Sequence, residues 1–333
     1  MCIRDSANRI FFQSNEPSPY ERHVFHISDE GGASTRVTTL PGQHRPYPSP
    51  DGMRVALLHN SDISPTELYL MDTRSGLPES QITISFNPEF ISKSWVQPRY
   101  ATFKSQIDDY TLHARILEPA NIKRGKRYPV IFGPAYSNTV RNRWAGTIGL
   151  LQQLLVERGY IVIQVDVRGS TGYGREFREE FLMDFAGNDI EDLESAVNYL
   201  STLPYVDPER IGIWGSSYGG TLTIYSLFKK PGLFKAGVAG AAAVDPYFFG
   251  TDDVAIVRRP ESHPEAFTRG ALQYADNLED HLLIIHGMQD HVVPFKTVAV
   301  LAEELIRLGK DFDFVFVPGA THGLSLIHIS EPT

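Results

Sequence analysis

Three residues of this sequence have the types and settings for nucleophilic acyl transfer: Ser217, Asp290 and His322. A serine hydroxyl attacks a carbonyl when a neighbouring base takes its proton, and that base works best when a third group orients it. Ser217 stands in Gly215-Ser216-Ser217-Tyr218-Gly219, the one Gly-x-Ser-x-Gly of the chain. The pattern has a steric logic. A nucleophile on a sharp turn between strand and helix has strained backbone angles, and side chains two residues to either side would strike neighbouring elements. The helix start beyond it adds backbone donors and a favourable dipole for an oxyanion. Asp290 ends the run His286-Gly287-Met288-Gln289-Asp290, and His322 lies in Pro318-Gly319-Ala320-Thr321-His322-Gly323.

Residues so far apart need a scaffold that gathers them, and the pattern from Tyr128 onward describes one. Apolar strand runs at 129–132, 160–167, 210–214 and 282–285 alternate with helical patterns at 143–158, 189–200, 218–228 and 295–308. A last strand at 312–317 precedes His322. Alternation of this kind predicts a parallel, doubly wound sheet covered on both faces. Ser217, Asp290 and His322 each follow a strand, at the carboxyl edge where such sheets carry their catalytic loops. Their order along the chain, Ser then Asp then His, is that of α/β-hydrolases. Before this region, 100–104 and 111–117 read as an antiparallel hairpin around Asp108-Asp109.

The first part, residues 7–94, has a different texture. Short β-prone runs at 8–13, 24–28, 54–59 and 67–72 are separated by turn chemistry such as Asp29-Glu30-Gly31-Gly32 and Pro48-Ser49-Pro50-Asp51-Gly52. This spacing suits a sandwich or propeller blades, and fewer than two four-stranded blades are expected to fit. Residues 1–6 and 324–333 read as translations of one transposase mosaic-end element in opposite orientations. The expected domains are therefore 7–94, the end of a truncated propeller, and 95–323, a hydrolase domain without its last helix, between two foreign ends. The single cysteine, Cys2, falls in the first of those ends. Expressed alone, such a chain is expected to be unstable and nearly inactive.

Bulk properties exclude some classes. At 42% hydrophobic and 21% charged the composition is that of a globular protein, and its net charge of −9 argues against nucleic acid as a partner. No apolar run approaches the roughly 18 residues of a membrane span. His23/His26 and His281/His286 are paired in sequence, but no Cys cluster or HExxH accompanies them, so no metal is expected. Asp166 and Arg168 read as a structural ion pair, and Asp189, Glu191, Asp192 and Glu194 as acids opening a helix.

On Ile213-Trp-Gly-Ser-Ser-Tyr-Gly-Gly220, Asp166-Val-Arg-Gly-Ser-Thr-Gly-Tyr-Gly174 and Leu283-Ile-Ile-His-Gly-Met-Gln-Asp290, the chain resembles the prolyl oligopeptidase family, on its dipeptidyl peptidase IV-like branch. Glu21-Arg-His-Val-Phe-His-Ile-Ser-Asp-Glu-Gly-Gly32 is similar to the late propeller of that branch. The resemblance implies an α/β-hydrolase fold preceded by the carboxyl-terminal remnant of a β-propeller. It implies a serine peptidase acting on small peptides without cofactor or metal, with Ser217 as nucleophile, His322 as base and Asp290 as orienter. The Tyr218 N–H and the Tyr136 hydroxyl would be the oxyanion donors. Tyr218, Tyr247, Phe248, Phe249 and Val293 would line the pocket for the residue before the scissile bond.

Two features depart from the branch pattern. Val292 stands where Asn or Arg often holds a substrate carbonyl, and neither Glu16 nor Glu21 sits in the context of the acids that grip a free amino terminus. The first expectation is release of Xaa-Pro or Xaa-Ala dipeptides. The alternatives are an oligopeptidase or acylaminoacyl-peptidase, then a carboxylesterase, then a catalytically silent scaffold. A homodimer of the full-length protein and a periplasmic or cell-envelope location complete the expectations.

Overall fold

The computed structural model describes residues 4–6, 8–74, 78–248, 259, 261–268 and 270–323. The chain divides into two compact units, Met1–Pro98 with Val140–Leu154 and Arg99–Thr139 with Leu155–Thr333.

The first unit carries two four-stranded antiparallel sheets. One is formed in order by β1 (Arg4–Ser6), β2 (Arg9–Ser14), β3 (His23–Ser28) and β4 (Thr35–Arg36). The other is formed by β5 (Gln43–Pro48), β6 (Arg54–Asn60), β7 (Glu67–Asp72) and β8 (Pro78–Gln81). Small up-and-down sheets of this kind are the building block of a β-propeller. Two sheets form where fewer than two blades were expected, because the strands are only two to seven residues long and the first takes in residues 4–6. Strand β5 carries Pro46 and Pro48, which hide it from a strand reading. It lies at a sheet edge, where a missing N–H breaks no ladder. Phe11, Val24, Val37, Val55, Leu57 and Met71 form this unit's core.

The second unit holds an eight-stranded sheet. Its hairpin, β9 (Arg99–Lys104) and β10 (Thr111–Leu117), is antiparallel. The strands that follow are β11 (Tyr128–Phe132), β12 (Ile161–Asp166), β13 (Val206–Ser216), β14 (Ala236–Gly240), β15 (His281–Gly287) and β16 (Asp313–Val317). These pair in parallel, and the sheet order is β16-β15-β14-β13-β11-β12-β10-β9. Strand β12 is buried along its whole length, as a parallel strand covered on both faces must be. The helices of this unit are α3 (Arg175–Glu179), α4 (Asn188–Ser201), α5 (Tyr218–Lys229) and α6 (Phe295–Arg307), whereas α1 (Pro88–Ser92) and most of α2 (Gly146–Glu157) belong to the first unit. This is the α/β-hydrolase arrangement. From β11 the chain crosses to β12 on one side and then returns to β13 on the other, so the strand order reverses between β11 and β13. A crevice opens at the carboxyl ends of such a pair.

Strand β14, Ala236-Gly237-Val238-Ala239-Gly240, was not among the expected strands, since alanine and glycine are poor strand formers. Packing explains its composition. A Cβ on Gly237 would lie 2.8 Å from side-chain atoms of both Leu227 and Thr223 on α5. Small residues here let α5, whose residues 219–228 are all buried, lie close on the sheet.

Inside the first unit His23, His44 and His59 form a buried ladder, with ring centroids 5.1 and 4.6 Å apart. His23 pairs with Glu21 at 2.8 Å, and His44 Nδ1 contacts the Arg22 carbonyl at 2.8 Å. Burial, reinforced by His59, His23 and Arg36, pushes His44 from 6.5 down to about 3, against the opposing effect of that carbonyl. His44 is thus neutral when folded, while an unfolded chain takes up its proton as pH falls through about 6.5. Stability from this group is complete above that pH and is lost progressively toward pH 3, at about 1.4 kcal/mol per pH unit. Denaturant titrations between pH 7 and 4 are expected to show a shallower loss for His44→Gln than for the parent chain.

Candidate active site

The elbow begins where β13 ends. Ser217 has φ 58° and ψ −126°, and α5 starts at the next residue. A Cβ on Gly215 would lie 2.5 Å from the backbone of Gly219, and one on Gly219 would lie 2.0 Å from the Ala135 carbonyl oxygen. Neither contact is possible, so both positions must be glycine for the turn to close. Ser217 N–H donates to the Gly240 carbonyl at 2.9 Å, which ties the elbow to β14. Ala135 N–H donates to the Trp214 carbonyl at 2.8 Å, which carries the segment after β11 alongside the elbow and brings Tyr136 to it.

Ser217, Asp290 and His322 meet at the carboxyl edge of β13, β15 and β16. His322 Nε2 lies 3.1 Å from Ser217 Oγ, and its Nδ1 lies 2.8 Å from Asp290 Oδ2. The backbone N–H groups of Val292 and Val293 donate to Asp290 Oδ1 at 2.9 and 2.8 Å. His286, fully buried, places Nε2 2.9 Å from the Val293 carbonyl and 3.4 Å from Asp290 Oδ2. Burial is the main influence that lowers its pKa. A neutral His286 whose Nε2–H donates to Val293 leaves His322 as the imidazole that engages the Asp290 carboxylate closely. Such a chain can pass a serine proton to the far side of an imidazole whose near side is held by a carboxylate.

Beside Ser217 opens a cavity of about 230 Å³. Tyr136, Tyr218 and Val293 line it. Phe181, Phe185 and Val292 also line it. The sequence had marked none of these three as a wall. Phe181 and Phe185 fall in Phe181-Leu182-Met183-Asp184-Phe185-Ala186-Gly187, which matches no motif, and an aromatic-rich loop before a helix was the only available signal. Tyr247 lies elsewhere: it is 61% exposed and packs on Phe267 with ring centroids 4.9 Å apart. Phe249 and the Phe248 side chain lie outside the described residues.

Arg168 also reaches the cavity, and its partners differ from the expected one. It does not pair with Asp166. Its guanidinium makes two hydrogen bonds to Asp192, at 2.7 and 3.0 Å, and a further ion pair with Asp108 at 3.1 Å. Asp166 instead accepts the Thr139 N–H at 2.6 Å and the Tyr173 hydroxyl at 2.8 Å. The reason is direction: neighbours on a strand point to opposite faces, and two residues on one face still diverge where the strand ends. Among the described residues no group of three or more His, Cys, Asp or Glu is arranged to hold a metal ion. None of their helices is long and apolar enough to cross a membrane.

Fold and site together define an α/β-hydrolase with a serine, histidine and aspartate gathered at the sheet's carboxyl edge. The model of the prolyl oligopeptidase family matches residues 148–327, more than half of the chain, and the chain belongs to that family of serine peptidases. It is 27% identical to dipeptidyl peptidase 8 of Homo sapiens over 97% of this chain and 38% of that protein. To the uncharacterized peptidase YuxL of Bacillus subtilis (strain 168) it is 29% identical over 83% of this chain and 43% of that protein. The crystal structure of Porphyromonas gingivalis dipeptidyl peptidase 4 matches with a TM-score of 0.88 at 26% identity, over 98% of this chain and 47% of that one. The chain thus spans less than half the length of each of these three.

The elbow's tolerance can be measured. Gly219→Ala puts a methyl group into the Ala135 carbonyl, and overpacking of this kind costs about 1–3 kcal/mol. The variant is expected to unfold at lower denaturant concentration and to react with a fluorophosphonate at least about 10-fold more slowly. Unchanged labelling would mean the turn has room that the geometry denies.

Proposed function

We propose that this chain is the catalytic part of a serine peptidase that cleaves small peptides through an acyl-enzyme. The observation that carries the reading is the relay from Ser217 Oγ through His322 to Asp290, at 3.1 and 2.8 Å, beside an apolar cavity. Ser217 Oγ attacks the scissile carbonyl carbon while His322 Nε2 takes its proton. The carbonyl oxygen becomes an oxyanion beside the N–H of Tyr218, the first residue of α5, whose N–H has no acceptor within the helix. The Tyr136 hydroxyl is the second donor in this reading. His322 then returns the proton to the leaving amine, and water repeats the sequence against the acyl-serine.

The substrate reading is finer. Walls of Phe181, Phe185, Tyr218 and Val293 suit the flat, rigid ring of proline, and alanine would also fit. Dipeptidyl peptidases among the relatives favour release of dipeptides from a free amino terminus. Val292, apolar and on the cavity wall, favours a second reading, an oligopeptidase that makes less use of a polar grip there.

Ser217→Ala is expected to lower kcat by roughly 10³–10⁶, as removal of a triad nucleophile does. Tyr136→Phe is expected to cost about 10²–10³ as loss of one oxyanion donor. Full activity without the serine hydroxyl would defeat the mechanism, whereas normal activity in the tyrosine variant would remove only that donor.

The two substrate readings separate on chromogenic Gly-Pro derivatives, with the amine free or acylated, assayed on the full-length gene product. A dipeptidyl enzyme is expected to lose most of its kcat/KM on the blocked substrate, because a site built to pair the amine is left with unpaired polar groups. Equal turnover of both would select the oligopeptidase.

A further inference from the structure

Behind the cavity, the Tyr218 hydroxyl donates to Asp189 Oδ2 at 2.5 Å and accepts the Ala186 N–H at 3.3 Å. Asp189 sits in the first turn of α4 and is buried, with no hydrogen-bond partner for Oδ1 among the described residues. A helix-start acid normally serves its own helix's N–H groups. Here that service falls to Asp184, whose Oδ2 accepts the Asn188 N–H at 2.7 Å, so Asp189 is turned to the tyrosine instead. Burial, with Asp192 and Asp184 close by, raises its carboxyl to about 7, against the hydrogen bond from Tyr218 and the charge of Lys229. A carboxyl held at that cost in solvation has been placed for something other than helix capping.

The segment it reaches is unusual. Residues 181–187 provide the two aromatic walls, Phe181 and Phe185, whose rings lie 6.2 and 5.7 Å from that of Tyr218. Met183 and Ala186 have φ of 64° and 47°, left-handed angles that residues other than glycine keep only where the surroundings hold them. Two holds act on Ala186. Its carbonyl accepts Lys229 Nζ at 2.5 Å, and its N–H goes to the Tyr218 hydroxyl, which Asp189 fixes in turn.

We propose that Asp189 is a positioning residue that, through the Tyr218 hydroxyl and the Ala186 N–H, holds the Tyr218 ring and segment 181–187 as one rigid wall, and thereby sets selectivity for the residue before the scissile bond. The selectivity part rests on the peptidase reading given above; the structural part does not.

The test compares Asp189→Leu, Asp189→Asn, Tyr218→Phe and the double variant Asp189→Leu/Tyr218→Phe in the full chain. Hydrogen exchange is expected to quicken about 10-fold or more at amides 181–187 in Asp189→Leu and in Tyr218→Phe, with β12 and β13 unchanged. Asp189→Asn, whose amide oxygen still accepts the phenol proton, is expected to restore protection. In peptide assays the ratio of kcat/KM for proline over bulkier residues is expected to fall about 10–100-fold in Asp189→Leu, the scale of a displacement near 1 Å. The double variant is expected to add little to Tyr218→Phe, since Asp189 acts through the hydroxyl that Tyr218→Phe already removes. Parent-like exchange in Tyr218→Phe, or fully additive losses in the double variant, overturns the proposal. Should Asp189→Leu fail to fold, Tyr218→Phe and Asp189→Asn carry the same decision. A parent chain that neither cleaves peptides nor labels at Ser217 defeats the peptidase reading, and the exchange comparison still decides the role of Asp189.

Discussion

Ser217 holds its backbone at φ 58°, a conformation that costs a residue other than glycine on the order of 1–3 kcal/mol, and the second unit is built so that this strain has no path of relaxation. Its N–H is taken by Gly240, and the carbonyl of Trp214, three residues earlier in the strand, by Ala135. The helix that follows is buried throughout residues 219–228 and cannot rotate to ease the turn. That helix can lie so close to the sheet only because β14 is made of alanine, glycine and valine, with Gly237 under Leu227 and Thr223. The same close approach presses Gly219 against Ala135 and leaves Tyr136 at the nucleophile's side. A single strained residue thus dictates the small strand beside it, the glycines around it and the loop across from it.

Three buried carboxylates in this unit show how differently one functional group is used when its partners change. Asp192 is paired with Arg168 through two hydrogen bonds, an ion pair whose desolvation is offset by geometry and which fastens α4 to the end of β12. Among the described residues Asp290 pairs with no Lys or Arg and is instead ringed by donors, two backbone N–H groups and His322. Those contacts satisfy one oxygen through the backbone and leave the other committed to the imidazole. Among the described residues Asp189 has only a phenol as side-chain partner and keeps one oxygen without a hydrogen bond, so its charge is the costliest of the three. The first serves the fold and the second faces the reacting groups. The third reaches the cavity wall only through Tyr218.

How much of this could be read from the residues follows from what each residue is required to be. Ser217, Asp290 and His322 were legible because chemistry restricts their identity and the fold restricts their order and their place after strands. Helices with an apolar stripe, such as α4 and α6, appeared within one or two residues of their observed ends. Strand β14 was hidden because packing demanded small residues with little strand propensity, and β5 because an edge position tolerated Pro46 and Pro48. The partner of Arg168 was misassigned since nearness in sequence says little about direction. Met183 and Ala186 carry no sign of their left-handed angles; tertiary contacts impose them.

The cavity walls were the least legible part, and the reason bears on how such families diversify. A wall residue must be apolar and of suitable volume, a demand that phenylalanine, valine or tyrosine can each meet from several loops. Tyr247 satisfies the type and stands against Phe267 instead, while Phe181 and Phe185 enter from a segment with no motif. One methylene in an apolar pocket changes discrimination by only about 1–3 kcal/mol, so substitutions there alter substrate preference without touching the reaction. The relay and the elbow are less forgiving, because a displaced nucleophile or an added Cβ at Gly219 disturbs the reacting groups themselves. Reaction class is therefore written in a few chemically restricted residue types just after strand ends. Substrate choice is distributed over loops whose shape depends on contacts such as that between Tyr218 and Asp189.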